Sequence, residues 1–381
     1  MSVYIHHIET LVPETSYPQD VARDLMKQWV GTDRQRRMVH AIYDRSGIEK
    51  RHSVLRDFLP GAEPELFHTD AAGRLQESGT EERNRVFARE SKRMSVEVAR
   101  NLFRRVKGFT TGDITHVITV SCTGFYNPGP DYHIVQELGL SDATQRYNLG
   151  FMGCYAALPA LRMAAQFCEA NPRATVLVEC LELCSLHMQV RDDEDSLLAN
   201  ALFSDGAAAV LVSSHEPAPG ANAFRIGPFL SALAPSGRKD MAWEIGNRGF
   251  NIVLSSYVPD VIASNIVTIL EPVLATAELE LKDVEVWAVH PGGKAIVDKV
   301  SRALSLQPGQ VQPSRDVLRD YGNMSSVTIL FVLKSILDRA EAAGRVCAMA
   351  FGPGLTIEVN LLEHVPAALH ASAVAEKSSG S

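Results

Sequence analysis

Strand–helix alternation in both halves of the chain predicts an α/β fold made of two copies of one unit around a pseudo-twofold core. Two observations carry this. In the first half an apolar strand ends at Cys122, and a Gly-Cys helix start places Cys154 32 positions later (154 − 122). In the second half an apolar strand ends at His290, and a Gly-Asn helix start places Asn323 33 positions later (323 − 290). Each of these helices is apolar and is followed by another strand that reads as buried. Packed at one axis, they would bring Cys154 and Asn323 to a common centre onto which the His290 strand end opens. The 381 residues accommodate two such halves, 1–215 and 216–381, divided at the turn-rich stretch 213–220.

Composition narrows the function. With 46% apolar and 22% charged residues, the chain has the balance of an ordinary globular protein. A net charge of −8 and the lack of a basic block argue against nucleic acid or anionic membrane as the main partner. No uninterrupted apolar run reaches the length of a membrane span. The start, Met1-Ser2-Val3-Tyr4-Ile5-His6-His7, has no basic region leading into an apolar core, so no secretory signal is expected. The six cysteines form no CxxC pair, which fits reduced thiols in a cytoplasmic protein better than disulfides or a metal site.

The elements follow in order. Residues 3–12 read as a strand. Ser16-Tyr17-Pro18-Gln19 reads as a capping box opening a helix, with proline in its first turn. The arginine-rich stretch 33–56 (Arg34, Arg36, Arg37, Arg45, Arg51) reads as a solvated helix face or a landing site for a phosphorylated carrier. Residues 57–83 read as a surface loop and 84–105 as a helix. Strands are expected at 114–120, 145–148, 174–180 and 207–212, with the buried helix from 156. The second half has strands at 224–232, 284–289, 346–351 and 355–362. Its helices are expected at 256–277, 293–304, 314–320 and 327–340. The tail 367–381 reads as frayed.

The chemistry lies in three residue types. A thiol becomes a strong nucleophile when an imidazole takes its proton, and Cys154 with His290 would form that pair. Cys154 is expected at the first turn of its helix, where the dipole would lower its pKa. Asn323, a carboxamide with no charge to change, is suited to donating to a developing oxyanion.

These residues sit in strings that resemble type III polyketide synthases, the chalcone-synthase-like branch of the thiolase superfamily. The strings are Gly153-Cys154, Leu202-Phe203-Ser204-Asp205-Gly206, Val289-His290-Pro291-Gly292-Gly293, Tyr321-Gly322-Asn323-Met324-Ser325-Ser326 and Phe351-Gly352-Pro353-Gly354-Leu355-Thr356. The resemblance implies a thiolase-like five-layered αβαβα fold, usually a homodimer. It implies Claisen condensation of malonyl-CoA units onto an acyl group held by Cys154, with His290 and Asn323 stabilising the enolate. No metal or other cofactor is expected. By the same resemblance, Phe203, Cys122, Thr123, Cys184, Trp243, Ile252, Ser325 and Gly354 would contact substrate, and Arg45 would hold CoA.

Several positions depart from the family pattern. Ile252 stands where a phenylalanine is usual, and Cys122 and Cys184 replace hydroxyl-bearing residues. Trp243 stands where a glycine is usual. Small apolar lining suits an alkyl starter. An indole at 243 would shorten the space near Cys154, fold the ketide and favour carbon–carbon ring closure. Met38 and Ala41 replace two basic CoA contacts, which leaves acyl-CoA and an acyl carrier protein both open as carriers of a fatty acyl starter. The expected product is an alkylresorcinol. An alkylpyrone, or the product of a single-condensation ketoacyl synthase, is the alternative. A cysteine hydrolase and a non-enzymatic acyl-binding scaffold are weaker readings.

Overall fold

The computed structural model describes all residues except 72–73, 192, 235–236, 238, 340–343 and 368–381. The first half comprises β1 (Tyr4–Leu11), β2 (Ser16–Pro18), α1 (Gln19–Trp29), α2 (Asp33–Arg45), β3 (Lys50–His52), β4 (Phe67–Thr69), β5 (Leu75–Glu77) and α3 (Thr80–Arg105). It continues through β6 (His116–Ser121), α4 (Pro130–Leu138), β7 (Gln145–Gly150), α5 (Ala157–Ala170), β8 (Thr175–Leu183), α6 (Glu194–Leu202) and β9 (Asp205–Ser213). The second half comprises β10 (Ala223–Leu233), β11 (Met241–Gly246), β12 (Gly249–Leu254), α7 (Val258–Thr276), β13 (Val286–Val289) and α8 (Lys294–Ala303). It ends with α9 (Gln312–Tyr321), α10 (Val327–Leu337), β14 (Arg345–Gly352) and β15 (Thr356–Val365).

Nine strands run in the order β13-β14-β15-β10-β1-β9-β8-β6-β7. The halves join where β1 pairs antiparallel with β10, at Tyr4↔Arg225 and Ile5↔Phe224. Within this sheet, β6 pairs in parallel with β7 and β8, and β13 with β14. Strand residues alternate between two cores, as a period of two requires. In β8, Val176, Val178 and Cys180 join a central core with α5 and α10, while Leu177 and Leu181 pack on the α3 side. In β14, Val346, Ala348 and Ala350 face the central core, and Cys347, Met349 and Phe351 face α7 and α8. The layers are therefore α3/α4, first half-sheet, α5/α10, second half-sheet and α7/α8. This is the five-layered αβαβα arrangement.

Four local expectations are corrected. Ser16–Pro18 is a strand paired with β3, and α1 begins at Gln19 without a side-chain cap. The capping box lies instead at Thr32 and Gln35, opening α2. The stretch 57–83 contains the hairpin β4–β5, and α3 begins at Thr80. Helix α6 and the hairpin β11–β12 were not anticipated. Asp193 capping the Ser196 N–H marks the start of α6, and Gly246-Asn247-Arg248-Gly249 marks the hairpin turn. The frayed tail expected from 367 lies almost wholly outside the described residues.

By length and composition α7 could cross a membrane. Its Ile262, Ile266, Leu270 and Val273 form one buried stripe, in the same core as Val297 and Val300 of α8.

Candidate active site

The two central helices start beside one chamber. Gly153 has φ of +86°, and a Cβ there would lie 2.4 Å from Pro353 Cδ, so only glycine lets the turn seat against Gly352-Pro353. Cys154 lies in the turn ahead of α5, with its side chain partly open to the chamber. Asn323 is held through its backbone: its N–H donates to Leu202 O at 2.9 Å, and its carbonyl accepts the Ser204 N–H at 2.9 Å. The Leu202-Phe203-Ser204 string thus fixes the carboxamide. Gly206, one turn on, is needed because a Cβ would lie 2.5 Å from Met324 Sδ.

The Asn323 side chain is oriented at both ends. Its Oδ1 accepts from Ser325 N–H at 2.9 Å, and its Nδ2 donates to Gly292 O at 3.1 Å. Nδ2 carries a second hydrogen, and that one is available to a chamber oxygen. Ser325 adopts φ of +48°, a strained conformation for a non-glycine residue, and so reaches both Asn323 Oδ1 and Cys122 Sγ (3.4 Å). His290 is buried at the end of β13, and neither ring nitrogen has a protein partner among the described residues.

A cleft of about 610 Å³ is lined by Cys154, His290 and Asn323, together with Cys122, Thr123, Cys184, Phe203, Trp243, Ile252 and Ser325. Gly354 does not line it; its neighbour Pro353 does. Arg45 lies exposed at the end of α2, outside the chamber wall. Arg51 proves structural rather than a carrier contact. Its guanidinium donates to Asn200 O (2.6 Å), Phe203 O (2.9 Å) and Gln19 Oε1 (2.9 Å).

Glu182 was not foreseen, and it ties the halves together under the chamber. Its Oε2 accepts from Cys122 N–H (2.9 Å) and Thr123 Oγ1 (3.1 Å), and its Oε1 from Ser326 Oγ at the start of α10 (2.6 Å). The sequence signal was a pair of carboxylates, Glu179 and Glu182, inside a mostly apolar strand, where burial demands partners.

Electrostatics correct one expectation. Burial pushes the Cys154 thiol up to about 12, against the lowering expected from a helix dipole, although a Ser325 hydrogen bond opposes the rise. The physical reason is position: Tyr155 and Ala156 lie between Cys154 and Ala157, the first residue of α5, and desolvation outweighs a dipole that fades within one turn. Burial likewise holds the His290 imidazole down to about 3. Desolvation thus favours the neutral form of each group, and the end of α5 does not ionise the thiol in advance.

An αβαβα fold with a thiol, an imidazole and a carboxamide on one chamber defines the acyl-condensing class of thiolase-like proteins. The chalcone and stilbene synthase N-terminal domain family matches residues 3–217, and the C-terminal domain family matches 229–366. The chain belongs to this family: it is a type III polyketide synthase, a Claisen-condensing acyltransferase. It is 29% identical over 366 residues to the "alpha-pyrone synthesis polyketide synthase-like Pks18" of Mycobacterium tuberculosis, covering 94% of this chain and 90% of that one. It is 33% identical over 264 residues to "probable polyketide synthase 1" of Dictyostelium discoideum, covering 68% of this chain but 8% of that protein. The crystal structure of the C-terminal type III polyketide synthase domain of Steely1 from Dictyostelium superposes with a TM-score of 0.88 at 26% identity, covering 96% of this chain and all (100%) of that one. The 1,3,6,8-tetrahydroxynaphthalene synthase of Streptomyces coelicolor A3(2) gives 0.82 at 27% identity, covering 95% and 99%.

Proposed function

We propose that this synthase extends a fatty acyl thioester with malonyl-CoA and closes the product to an alkylresorcinol. Cys154 takes the starter. Its proton passes to His290 and on to the departing CoA thiolate as the acyl–sulfur bond forms. Malonyl-CoA then loses CO2, and the electrons of the broken carbon–carbon bond become an enolate. The free Nδ2–H of Asn323 and an N–H of His290 donate to the enolate oxygen. The enolate carbon attacks the Cys154 thioester, and the thiolate leaves. Repetition lengthens the ketide. The half-buried ring of Phe203, which lines the chamber, disfavours the charged malonyl carboxylate and so favours its loss. The same reading makes the active species a homodimer, and sedimentation equilibrium checks this.

The observation that carries the starter class is the wall shared by Cys184, Phe203 and Ile252. There the chamber borders a second, largely apolar cleft of about 890 Å³. An alkyl chain gains by burial there against Leu25, Met26, Trp29 and Phe58. An alkylpyrone is the second reading, favoured by the similarity to a protein named for alpha-pyrone synthesis. Purified protein incubated with acyl-CoAs of graded length and labelled malonyl-CoA decides between them by mass spectrometry. Malonyl-labelled alkylresorcinols support the proposal. Pyrones alone support the second reading, and acyl-thioester hydrolysis without malonyl incorporation refutes both.

A further inference from the structure

Trp243 stands between two clefts. The inner one holds Cys154, His290 and Asn323. The outer one lies beneath α1 and α6, with Leu25, Met26, Trp29 and Phe58 among its apolar walls. Trp243 sits on the hairpin β11–β12, directly across from Ile252. A two-stranded hairpin is weakly stable by itself, so the position of the indole depends on what anchors it. Its Nε1–H donates to Cys122 O at 2.8 Å.

His187 supplies the other anchor. Its Nε2 is 2.6 Å from Thr123 O, and its Nδ1 is 3.1 Å from the Phe250 N–H. A carbonyl only accepts and a backbone N–H only donates, so the proton sits on Nε2 and Nδ1 is the acceptor. The ring stacks on Phe250 with centroids 4.0 Å apart and meets Trp243 edge-on at 5.6 Å and 90°. Burial keeps it neutral, its pKa held down to about 3. One imidazole therefore joins the loop after β6 to the hairpin that carries the indole. Gln189 reinforces the same strand by donating to Phe250 O at 2.9 Å.

We propose that His187 is a positioning residue that locks Trp243 as a fixed partition, so that the starter's alkyl tail lies in the outer cleft while the ketide grows in the inner chamber. This rests on the acyl-extending function proposed above. The geometry supports it: the outer cleft, about 890 Å³, offers Leu25, Met26, Trp29 and Phe58 to a tail, and the inner one, about 610 Å³, holds the thiol, imidazole and carboxamide where each extension takes place. With the indole fixed, the inner volume limits ketide length whatever the length of the tail.

The test compares hexanoyl-CoA and tetradecanoyl-CoA as starters with the full-length protein, reading products by mass spectrometry. Trp243→Ala, which merges the clefts, should yield ketides with more malonyl units and narrow the kcat/KM preference between the starters by about tenfold. His187→Ala should shift products in the same direction with the indole intact. His187→Gln, whose amide can still donate to Thr123 O, should restore part of the wild-type distribution. Trp243→Phe, which keeps bulk without the N–H, gives an intermediate pattern and serves if the alanine variant does not fold. Tetradecanoyl-CoA brominated at its terminal carbon should quench a fluorescence component that is missing from Trp29→Phe. Wild-type product distributions in Trp243→Ala and His187→Ala would overturn the partition, as would turnover of the brominated starter without Trp29 quenching. Wild-type protein that makes no malonyl-dependent product would instead refute the underlying function.

Discussion

The two central helices occupy matching places, yet they hold their functional side chains in opposite ways. Asn323, ahead of α10, is clamped by backbone bonds to Leu202 and Ser204 and by side-chain bonds to Ser325 and Gly292. Cys154, ahead of α5, is positioned by the backbone of its turn and left partly open to the chamber. An oxyanion donor gains from being fixed before charge develops. A sulfur that must take up, carry and release an acyl chain gains from freedom. The duplicated frame supplies the common location, and local bonding divides the roles.

Substitutions can break this contrast, and the largest effect is expected at sulfur. Cys154→Ala should remove the acyl-enzyme seen by intact-protein mass spectrometry and cut product formation at least about a thousandfold. Asn323→Ala should lower kcat by roughly 10²–10³ while an acyl-Cys154 adduct still forms, because it removes a donor used after loading. A variant that failed to load would contradict that division.

Next comes the turn that places the thiol. Gly153→Ala forces a side chain into φ of +86° and against Pro353, and should cost about 2 kcal/mol or more in denaturant unfolding.

A pH-dependent effect, near zero in acid, sharpens a second contrast, between two carboxylates of β8. Glu182 is satisfied by donors from both halves, whereas Glu179 Oε1 is buried without a partner among the described residues. Burial raises Glu179 from 4.5 to about 8. The folded protein thus keeps a proton that the unfolded chain loses above pH 4.5. Stability from this group is present below that value and is lost as pH rises through about 8. Glu179→Gln should remove this dependence. Its advantage over wild type in urea unfolding should be near zero at pH 4 and on the order of 3 kcal/mol at pH 7. An advantage that did not grow with pH would show that Glu179 ionises freely.

Several features were legible in the residues alone. The β-branched run at 114–120 and the apolar runs at 174–180 and 346–351 could only be buried strands, and they are strands β6, β8 and β14. Cys154 and Asn323 lie in the turns just ahead of the two central helices rather than in their first turns, and the resemblance named the family. The hairpin β11–β12 was not legible, because its alternation is set by a cavity on one face rather than by a continuous core. Gly354 was placed at the substrate by motif, yet the turn aims Pro353 there instead.

The sequence by itself determined the duplicated strand–helix order, the identity of the reactive groups and the glycines that let their turns close, because these follow from local periodicity and from steric limits on each residue. Tertiary structure alone decided the burial that pushes up the pKa of the thiol, the role of Glu182 as a tie between halves, and the indole wall held by His187. Each of these depends on desolvation or on hydrogen bonds between segments far apart in the chain, and no local pattern encodes such partners.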